Sequence, residues 1–537
     1  MNTGAASEEP NPGGRPVVIV GAGPTGVAAA LLLARYGIPT VVLDRWADIY
    51  ARPRAVHLDD EVHRILGRLG VGDEFAAISR PARGLRLVDR DLKVLAEFAR
   101  DDGAGVHGHP QANMFDQPAL ERILRARMHR TPLISFRGNA EVVAVRPVQD
   151  WTGPLAVHFD DAEPGNRQVI EADHVLGCDG ANSVVRQAMG SRMIDLGFEQ
   201  RWLVIDVETD ADIDQWDGVH QVCDRRRAAT FMRVGQRRYR WEFRLLDGER
   251  LGDFESIGDI HPLIAPWTRG TPLGRLRLIR LADYVFRAQV ADRWHRGGVF
   301  LLGDAAHLTP PFIGQGMGAG LRDANNLAWK LAGVIHRTLE PSALESYELE
   351  RKPHARTMIT TAIGIGLAMT GGGAVGEALR GLVFPRAHLV PGLRRVIVES
   401  VSPRLRPSSL LARRRPMRPS ALVGTLAPNA LLGTGEERLD SVADGYILVT
   451  RRAPSPSLEA ALARRRVVTV TALDDEPLGS WLRRSGAVAA MVRPDFTVAI
   501  AGSDPERMLA HLPPSYRTPT IAAPAPPKGR VRSPAAG

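Results

Sequence analysis

The sequence predicts an α/β fold, with a parallel-sheet domain interrupted by a mainly antiparallel sheet and followed by a small α/β domain. Three observations predict it. A strand, a glycine turn, a helix and a second strand follow one another over residues 16–45, PVVIVGAGPTGVAAALLLARYGIPTVVLDR. From about residue 195 to 286 the pattern becomes successive strands, WLVIDVET, VHQVCD, AATFMRVG and YRWEFRLL, without helical crossovers. Near the end, short strands at 446–449, 467–470, 487–492 and 497–500 are separated by helical runs near 457–463 and 477–485. At 537 residues the chain is also too long for one ordinary core.

The first stretch organises the rest. Its β-branched strand ends at Gly21, and Gly23 and Gly26 complete G-x-G-x-x-G ahead of an apolar helical run. The first glycine permits the tight turn, the second lets backbone approach a pyrophosphate, and the third lets the helix pack close to the sheet. The anion then sits at the helix N-terminus. Gly37 and Pro39 stop the helix, and the strand over 40–43 ends at Asp44, where a carboxylate can reach the adenosine ribose hydroxyls. This is a complete Rossmann-like, dinucleotide-binding fingerprint. It does not separate FAD from NAD.

Composition bounds the class. Hydrophobic residues make up 44% and charged residues 24%, and no apolar run approaches a bilayer's width, so a soluble, cytoplasmic protein without a membrane partner is expected. The opening MNTGAASEEPNPGG lacks the basic and apolar regions of a signal peptide, and residues 1–14 read as a disordered leader. Two cysteines, Cys178 and Cys223, exclude a disulfide framework and a cysteine-rich metal site. No H-x-x-x-H or H-x-x-E-H pattern occurs, and no metal is expected. The net charge of +9 concentrates in arginine-rich patches at 404–418 and 464–466, which read as solvated surface because no nucleic-acid-binding motif accompanies them.

Between the landmarks, a helix over 59–69 is capped by Gly70, and another over 115–128 opens at Asp116 and Pro118 with Gln117 at its mouth. Strands at 140–145 and 155–159 precede the segment 168–177, which runs into CDGANSVVR. In YRWEF, Tyr239, Trp241 and Phe243 share one face while Arg238, Arg240 and Glu242 share the other. The aromatic face reads equally as a pocket wall or as core. A strand over 298–302 leads to Gly303 and Asp304, followed by a helix over about 316–336 and further helix through 347–361. These features divide the chain into a dinucleotide domain (15–194 and 287–400), an inserted substrate domain (195–286), a linker (401–435), a terminal domain (436–512) and a disordered tail (513–537).

Three separated motifs, GAGPTG at 21–26, CDGANSVVR at 178–186 and GDAAHLTPPFIGQGMGAGLRDANNLAWKL at 303–331, carry a family resemblance. The chain resembles the single-component FAD-dependent aromatic hydroxylases with the p-hydroxybenzoate hydroxylase fold. Through PRAVHLDDE, WLVIDVE, CD and RWEF it is most similar to 3-(3-hydroxyphenyl)propionate hydroxylases. The likeness extends to about residue 360, and the last domain resembles the thioredoxin-like appendage of phenol hydroxylase relatives, including VRPD at 492–495.

The resemblance implies that Gly21, Gly23 and Gly26, with the intervening Pro24 and Thr25, and Asp44 with Arg45, hold the ADP half of FAD. It places Arg54 and Gln117 against the cofactor, and Gly303 and Asp304 at the ribityl chain. It sets the 311–318 loop, with Pro311, Gly314, Gly316, Met317 and Gly318, along the isoalloxazine ring. Asp179 and Gly180, closed by Arg186, match a motif linked to both FAD and NAD(P)H. The implied activity is hydroxylation of a phenolic compound, taken as a 3-(3-hydroxyphenyl)propionate-like acid, with NADH or NADPH and molecular oxygen through a flavin C4a-hydroperoxide. A larger polycyclic or polyketide phenol remains open, as do a non-catalytic flavin-binding interaction protein and a homodimer. The W-x-W-x-I-P signature of flavin-dependent halogenases is absent.

The acid–base residues are not carried over. Val56 stands where phenol hydroxylases have aspartate, and His57 where the propionate hydroxylases commonly have glycine. His57 is expected to orient or deprotonate the substrate hydroxyl, the alternative being a surface histidine beside the cofactor loop. Within Arg225 to Arg227, either Arg226 or, by alternation, the Arg225/Arg227 pair would clamp a substrate carboxylate, the alternative being an arginine-rich exposed turn. Tyr239 and Pro311 complete the expected ring site.

Overall fold

The computed structural model describes residues 14–49, 55–100, 103–161, 166–213, 215–224, 226–370, 402–412, 421–433, 435, 437–474, 476–514, 516 and 518. The expected leader over 1–14, apart from Gly14, lies outside these residues, as do Arg54 and Arg225.

A six-stranded sheet carries the fingerprint, in the order His295–Arg296, Val299–Leu301, His174–Gly177, Val17–Val20, Thr40–Leu43, Ile134–Arg137. All neighbours run parallel except the first pair. Val18 and Ile19 at its centre are fully buried, as expected of a strand covered on both faces. The helix Pro24–Arg35 buries Val27 to Leu33 and packs on the long helix Gly316–Ile335. The third glycine explains the close start of that helix: a Cβ on Gly26 would lie 1.9 Å from the Gly21 carbonyl oxygen. An antiparallel three-stranded sheet, Glu141–Pro147, Leu155–Asp160 and Arg167–Ala172, flanks this layer.

The inserted sheet has eight strands, in the order His307–Leu308, Arg277–Ala291, Met193–Glu208, Arg238–Arg244, Ala229–Arg233, Val219–Val222, Gly84–Val88, Val94–Ala99. The expected boundaries of 195–286 therefore need correction. Residues 84–99 join the sheet through parallel pairing of Val219 with Leu85, a long-range contact that local pattern does not reveal. The face question is also settled. Tyr239, Trp241 and Phe243 pack with Phe231, Ile260, Ile264 and Trp267 in a buried cluster beneath the helix Ile257–Ile264, so the aromatic face is core. Arg240 and Glu242, on the reverse face, line a cavity.

The terminal domain is a four-stranded mixed sheet, in the order Val468–Thr471, Ile447–Thr450, Ala489–Val492, Val498–Gly502, with helices Pro456–Arg464 and Pro477–Arg484. Described parts of the expected linker bond to both domains: Gly424 N donates to Val498 O and Ala412 N to Ala499 O, both at 3.0 Å, whereas Ser408 Oγ donates to Glu350 at 2.6 Å. Four residues at the start of the expected tail, 513, 514, 516 and 518, are described, and the rest of it lies outside the described residues. Tyr516 is buried, with its ring edge-on to Tyr446 at 4.6 Å.

Arg493 and Asp495 of VRPD join this domain to the first. Arg493 donates two hydrogen bonds to Glu350, at 2.8 and 2.9 Å, and Glu350 also accepts from Lys330 and Asn326, each at 2.9 Å. Glu350, Arg493 and Lys330 are buried, so each charge relies on the others. Among the described residues, no helix is long and apolar enough to cross a membrane, and no histidine, cysteine, aspartate and glutamate group could hold a metal ion.

Candidate active site

A single cavity of about 1100 Å³ runs from the carboxyl ends of the parallel strands to the polar face of the inserted sheet. The dinucleotide end is formed by Gly21, Gly23, Asp44, Asp179 and Asp304. Gly21 has φ +99°, and a Cβ there would meet the Cys178 carbonyl oxygen at 2.4 Å, so the turn is held against the neighbouring strand end. A Cβ on Gly23 would meet nothing within 4 Å. That open space at the N-terminus of a twelve-residue helix suits a pyrophosphate approaching the backbone.

Asp44 accepts from Ala22 N at 2.6 Å and from Trp46 N at 2.8 Å. A carboxylate has about four acceptor positions, which leaves capacity for ribose hydroxyls. Gln117 is fixed at the mouth of its helix: its Oε1 accepts from Ala55 N at 2.6 Å and its Nε2 donates to Glu121 at 2.7 Å. Asp179 accepts from Ser183 Oγ at 2.5 Å and Val185 N at 3.1 Å, which makes it the organiser of the short helix Val184–Ala188. Burial raises its pKa, against the Ser183 hydrogen bond. Arg186 spans the two acidic turns by donating to Ala181 O at 2.7 Å and Ala305 O at 3.0 Å.

Asp304 follows Gly303, whose φ is +60° and whose amide donates to Asp323 at 3.1 Å. Asp323 is buried and also accepts from His307 and from Arg351, each at 2.8 Å. Thr25 sits where this turn and the long helix converge, because a Cβ on Gly303 or Gly320 would lie 2.9 or 2.2 Å from its Oγ1. The long helix begins at Gly316, with Gly316 and Met317 on the lining.

The ring end is lined by Pro311, Gly314, His57, Arg100, Met114, Trp202, Val204, Met232, Arg240, Glu242 and Phe286, with Met114 and Met232 packed in one cluster. Arg322 anchors the glycine loop from below. It pairs with Asp59, donates to Glu61 at 2.6 Å and to Gln315 at 2.9 Å, and Gln315 donates to Asp59 at 2.9 Å. Although burial opposes ionisation, Arg322 holds Asp59 below the usual carboxylate range. Burial, reinforced by Arg100, lowers His57 to about 4, so its imidazole is neutral at ordinary pH. Its Nδ1 approaches Gly314 without a hydrogen bond of ordinary geometry, and a Cβ on Gly314 would come within 2.9 Å of it.

The family described as FAD binding domain matches residues 15–362. A probable NADH-specific resorcinol 4-hydroxylase of Rhodococcus jostii (strain RHA1) is 33% identical over 500 residues, covering 89% of this chain and 90% of that protein. A 3-(3-hydroxyphenyl)propionate/3-hydroxycinnamic acid hydroxylase of Burkholderia vietnamiensis (strain G4 / LMG 22486) is 36% identical over 383 residues, covering 71% of this chain and 68% of that protein. The chain belongs to the FAD-dependent aromatic hydroxylases. The hydroxylase is thus a flavoprotein monooxygenase that uses FAD with NAD(P)H, and the reading as a non-catalytic flavin-binding protein is set aside. Its fold matches the crystal structure of aklavinone-11 hydroxylase with FAD and aklavinone, with a TM-score of 0.74 at 24% identity, over 94% of this chain and 99% of that one.

Within the hydroxylase, the expected residues fall into three groups. Gly21, Gly23, Pro24, Thr25, Asp44, Arg45, Gln117, Asp179, Asp304, Pro311, Gly314, Gly316, Met317 and His57 border the cavity. Gly26, Gly303 and Gly318 stand behind the lining as close-packing positions; a Cβ on Gly318 would lie 2.9 Å from Arg322 and 3.0 Å from Val62. Two expectations are corrected. Tyr239 is 2% exposed in the aromatic core, because alternation turns it away from the cavity. Arg226 is exposed on a turn, with its amide donating to Asp224 at 2.9 Å, and the adjacent Arg227 pairs with Glu249. Neither arginine borders the cavity.

Sequence reasoning missed Arg100, Arg240 and Glu242 as site residues. The charged alternation in RYRWEF was a usable signal, since a strand covered by core on one face can keep charges only on the other.

Proposed function

We propose that this enzyme hydroxylates a small phenol carrying a second polar group meta to the hydroxyl, with NADH as the reductant. Resorcinol and 3-(3-hydroxyphenyl)propionate, named for the two relatives, share that pattern. The observation that carries the proposal is the single cavity joining the dinucleotide turn to a sheet wall that bears charged as well as apolar side chains.

The residues present fit FAD. The turn from Gly21 to Gly26 and the N-terminus of the following helix would hold the pyrophosphate, Asp44 a ribose, Asp304 the ribityl hydroxyls, and the loop through Pro311, Gly314 and Met317 the ring. When bound, the flavin supplies hydride acceptance, oxygen activation and oxygen transfer. The protein orients the phenol and keeps water from the reacting atoms through Val56, Met114, Trp202, Val204, Met232 and Phe286. His57, neutral and set beside the glycine loop, would contact the substrate as a hydrogen-bonding group and not as a cation.

The test is aerobic oxidation of NADH, and separately NADPH, by the FAD-loaded enzyme with resorcinol or 3-(3-hydroxyphenyl)propionate added. Stimulated oxidation and a product heavier by one oxygen atom are expected, with NADH preferred. Phenol-independent oxidation that releases only hydrogen peroxide would refute the proposal.

A further inference from the structure

The face of the inserted sheet that meets the cavity is set by cross-strand pairing. Glu242 lies opposite Val204 on one side and Thr230 on the other, and Arg240 lies opposite Asp206 and Met232. Most polar groups of this face satisfy one another. Arg240 donates to both carboxylate oxygens of Asp206, at 2.7 and 2.8 Å, with both side chains buried. Arg280 stands 3.9 Å from Asp206 and donates to the Tyr284 hydroxyl at 2.6 Å. Thr230 Oγ1 donates to Gln221 Oε1 at 3.0 Å, and Gln221 Nε2 donates to Ala229 O at 3.0 Å.

Glu242 departs from this pattern. It is 7% exposed and lines the cavity, yet its carboxyl has no hydrogen-bond partner among the described residues. Burial raises its pKa against the opposing charges of Arg240 and Arg280. Its oxygens are not among the fully enclosed side-chain atoms that lack a partner, so they reach the open space of the cavity. Its free acceptor positions are therefore open to a donor on whatever molecule occupies the cavity. A carboxyl group in this setting asks for a donor, and an aromatic substrate's donor is its hydroxyl. A substrate carboxylate would instead meet Glu242 beside an arginine already engaged by Asp206.

We propose that Glu242 accepts a hydrogen bond from a ring hydroxyl of the aromatic substrate and selects hydroxylated rings over their ethers. The inference rests on the phenol hydroxylase reading above. It makes Glu242 a residue that touches substrate, in the cavity that His57 and Gly314 also line.

The experiment reads binding separately from turnover. FAD-loaded wild type, Glu242→Gln and Glu242→Met are titrated with resorcinol and with 1,3-dimethoxybenzene, following the perturbation of flavin absorbance. Removing the acceptor should reduce the preference for resorcinol by about 10- to 100-fold in Glu242→Met, the range for a hydrogen bond to a charged group. Glu242→Gln, which keeps a carbonyl acceptor, should fall between the two. Flavin content equal to wild type shows that the site has folded, and the glutamine variant alone suffices if the methionine variant does not. An unchanged preference in a flavin-replete variant would overturn the proposal. A wild type that binds resorcinol with the expected preference and makes no hydroxylated product would refute the proposed reaction while supporting the role of Glu242.

Discussion

Adding one methyl group at Gly23 and, separately, at Gly26 should damage two different properties of the enzyme. At Gly23 the backbone has φ −70° and ψ 178°, which alanine adopts without strain, and the new Cβ would meet nothing within 4 Å. Stability without flavin should therefore stay within about 1 kcal/mol of wild type, the range for a compatible glycine-to-alanine change. The methyl would occupy the space that a pyrophosphate needs, and overpacking of about 1–3 kcal/mol corresponds to flavin binding weakened by about 5- to 150-fold. At Gly26 the same atom would lie 1.9 Å from the Gly21 carbonyl oxygen and 3.3 Å from Cys178 Cβ. The carbonyl belongs to the turn and cannot rotate aside, so the helix must move. Gly26→Ala should lose at least about 1–3 kcal/mol of folding stability with or without flavin. Urea unfolding of the flavin-free proteins, paired with FAD titration by fluorescence quenching, separates the two effects. The reasoning fails if Gly23→Ala binds FAD with wild-type affinity, or if Gly26→Ala unfolds at the wild-type midpoint.

Two further outcomes follow from buried charge. His57 has a folded-state pKa near 4, lowered first by burial and then by Arg100. A folded pKa below the unfolded value of about 6.5 means that protonation favours unfolding, so this contribution is fully present above pH 6.5 and is lost as pH falls toward 4. His57→Gln should flatten the loss of stability across that window, and a melting-temperature profile from pH 7 to 4 that parallels wild type would contradict it. At the domain junction, Arg493→Met strips Glu350 of the two hydrogen bonds that Arg493 donates, at 2.8 and 2.9 Å, and should cost about 3–5 kcal/mol in chemical unfolding. Adding Glu350→Gln should recover part of that loss, and strict additivity of the two changes would show that the pair is not coupled.

The sequence by itself determined the features that local chemistry dictates. The turn at Gly21 to Gly26, Asp44 at the next strand end and the strands of the terminal domain can be read because their glycines, β-branched runs and spacings are contiguous. Tertiary structure alone decided which face of Arg238–Arg244 meets the cavity. Period-two alternation places Tyr239 and Arg240 on opposite faces, but the packing of Ile257–Ile264 over the aromatic side decides which is core. It also carried residues 84–99 into the inserted sheet through parallel pairing and turned Arg226 out to solvent at a strand end. The VRPD segment shows the same division. Its charges are evident in the sequence, whereas their burial against Glu350, distant in the chain, exists only once two domains are packed together. The physical reason is that side-chain type and backbone preference act over a few residues, while burial, pairing and the open side of a carboxyl group depend on segments that meet only in the folded protein.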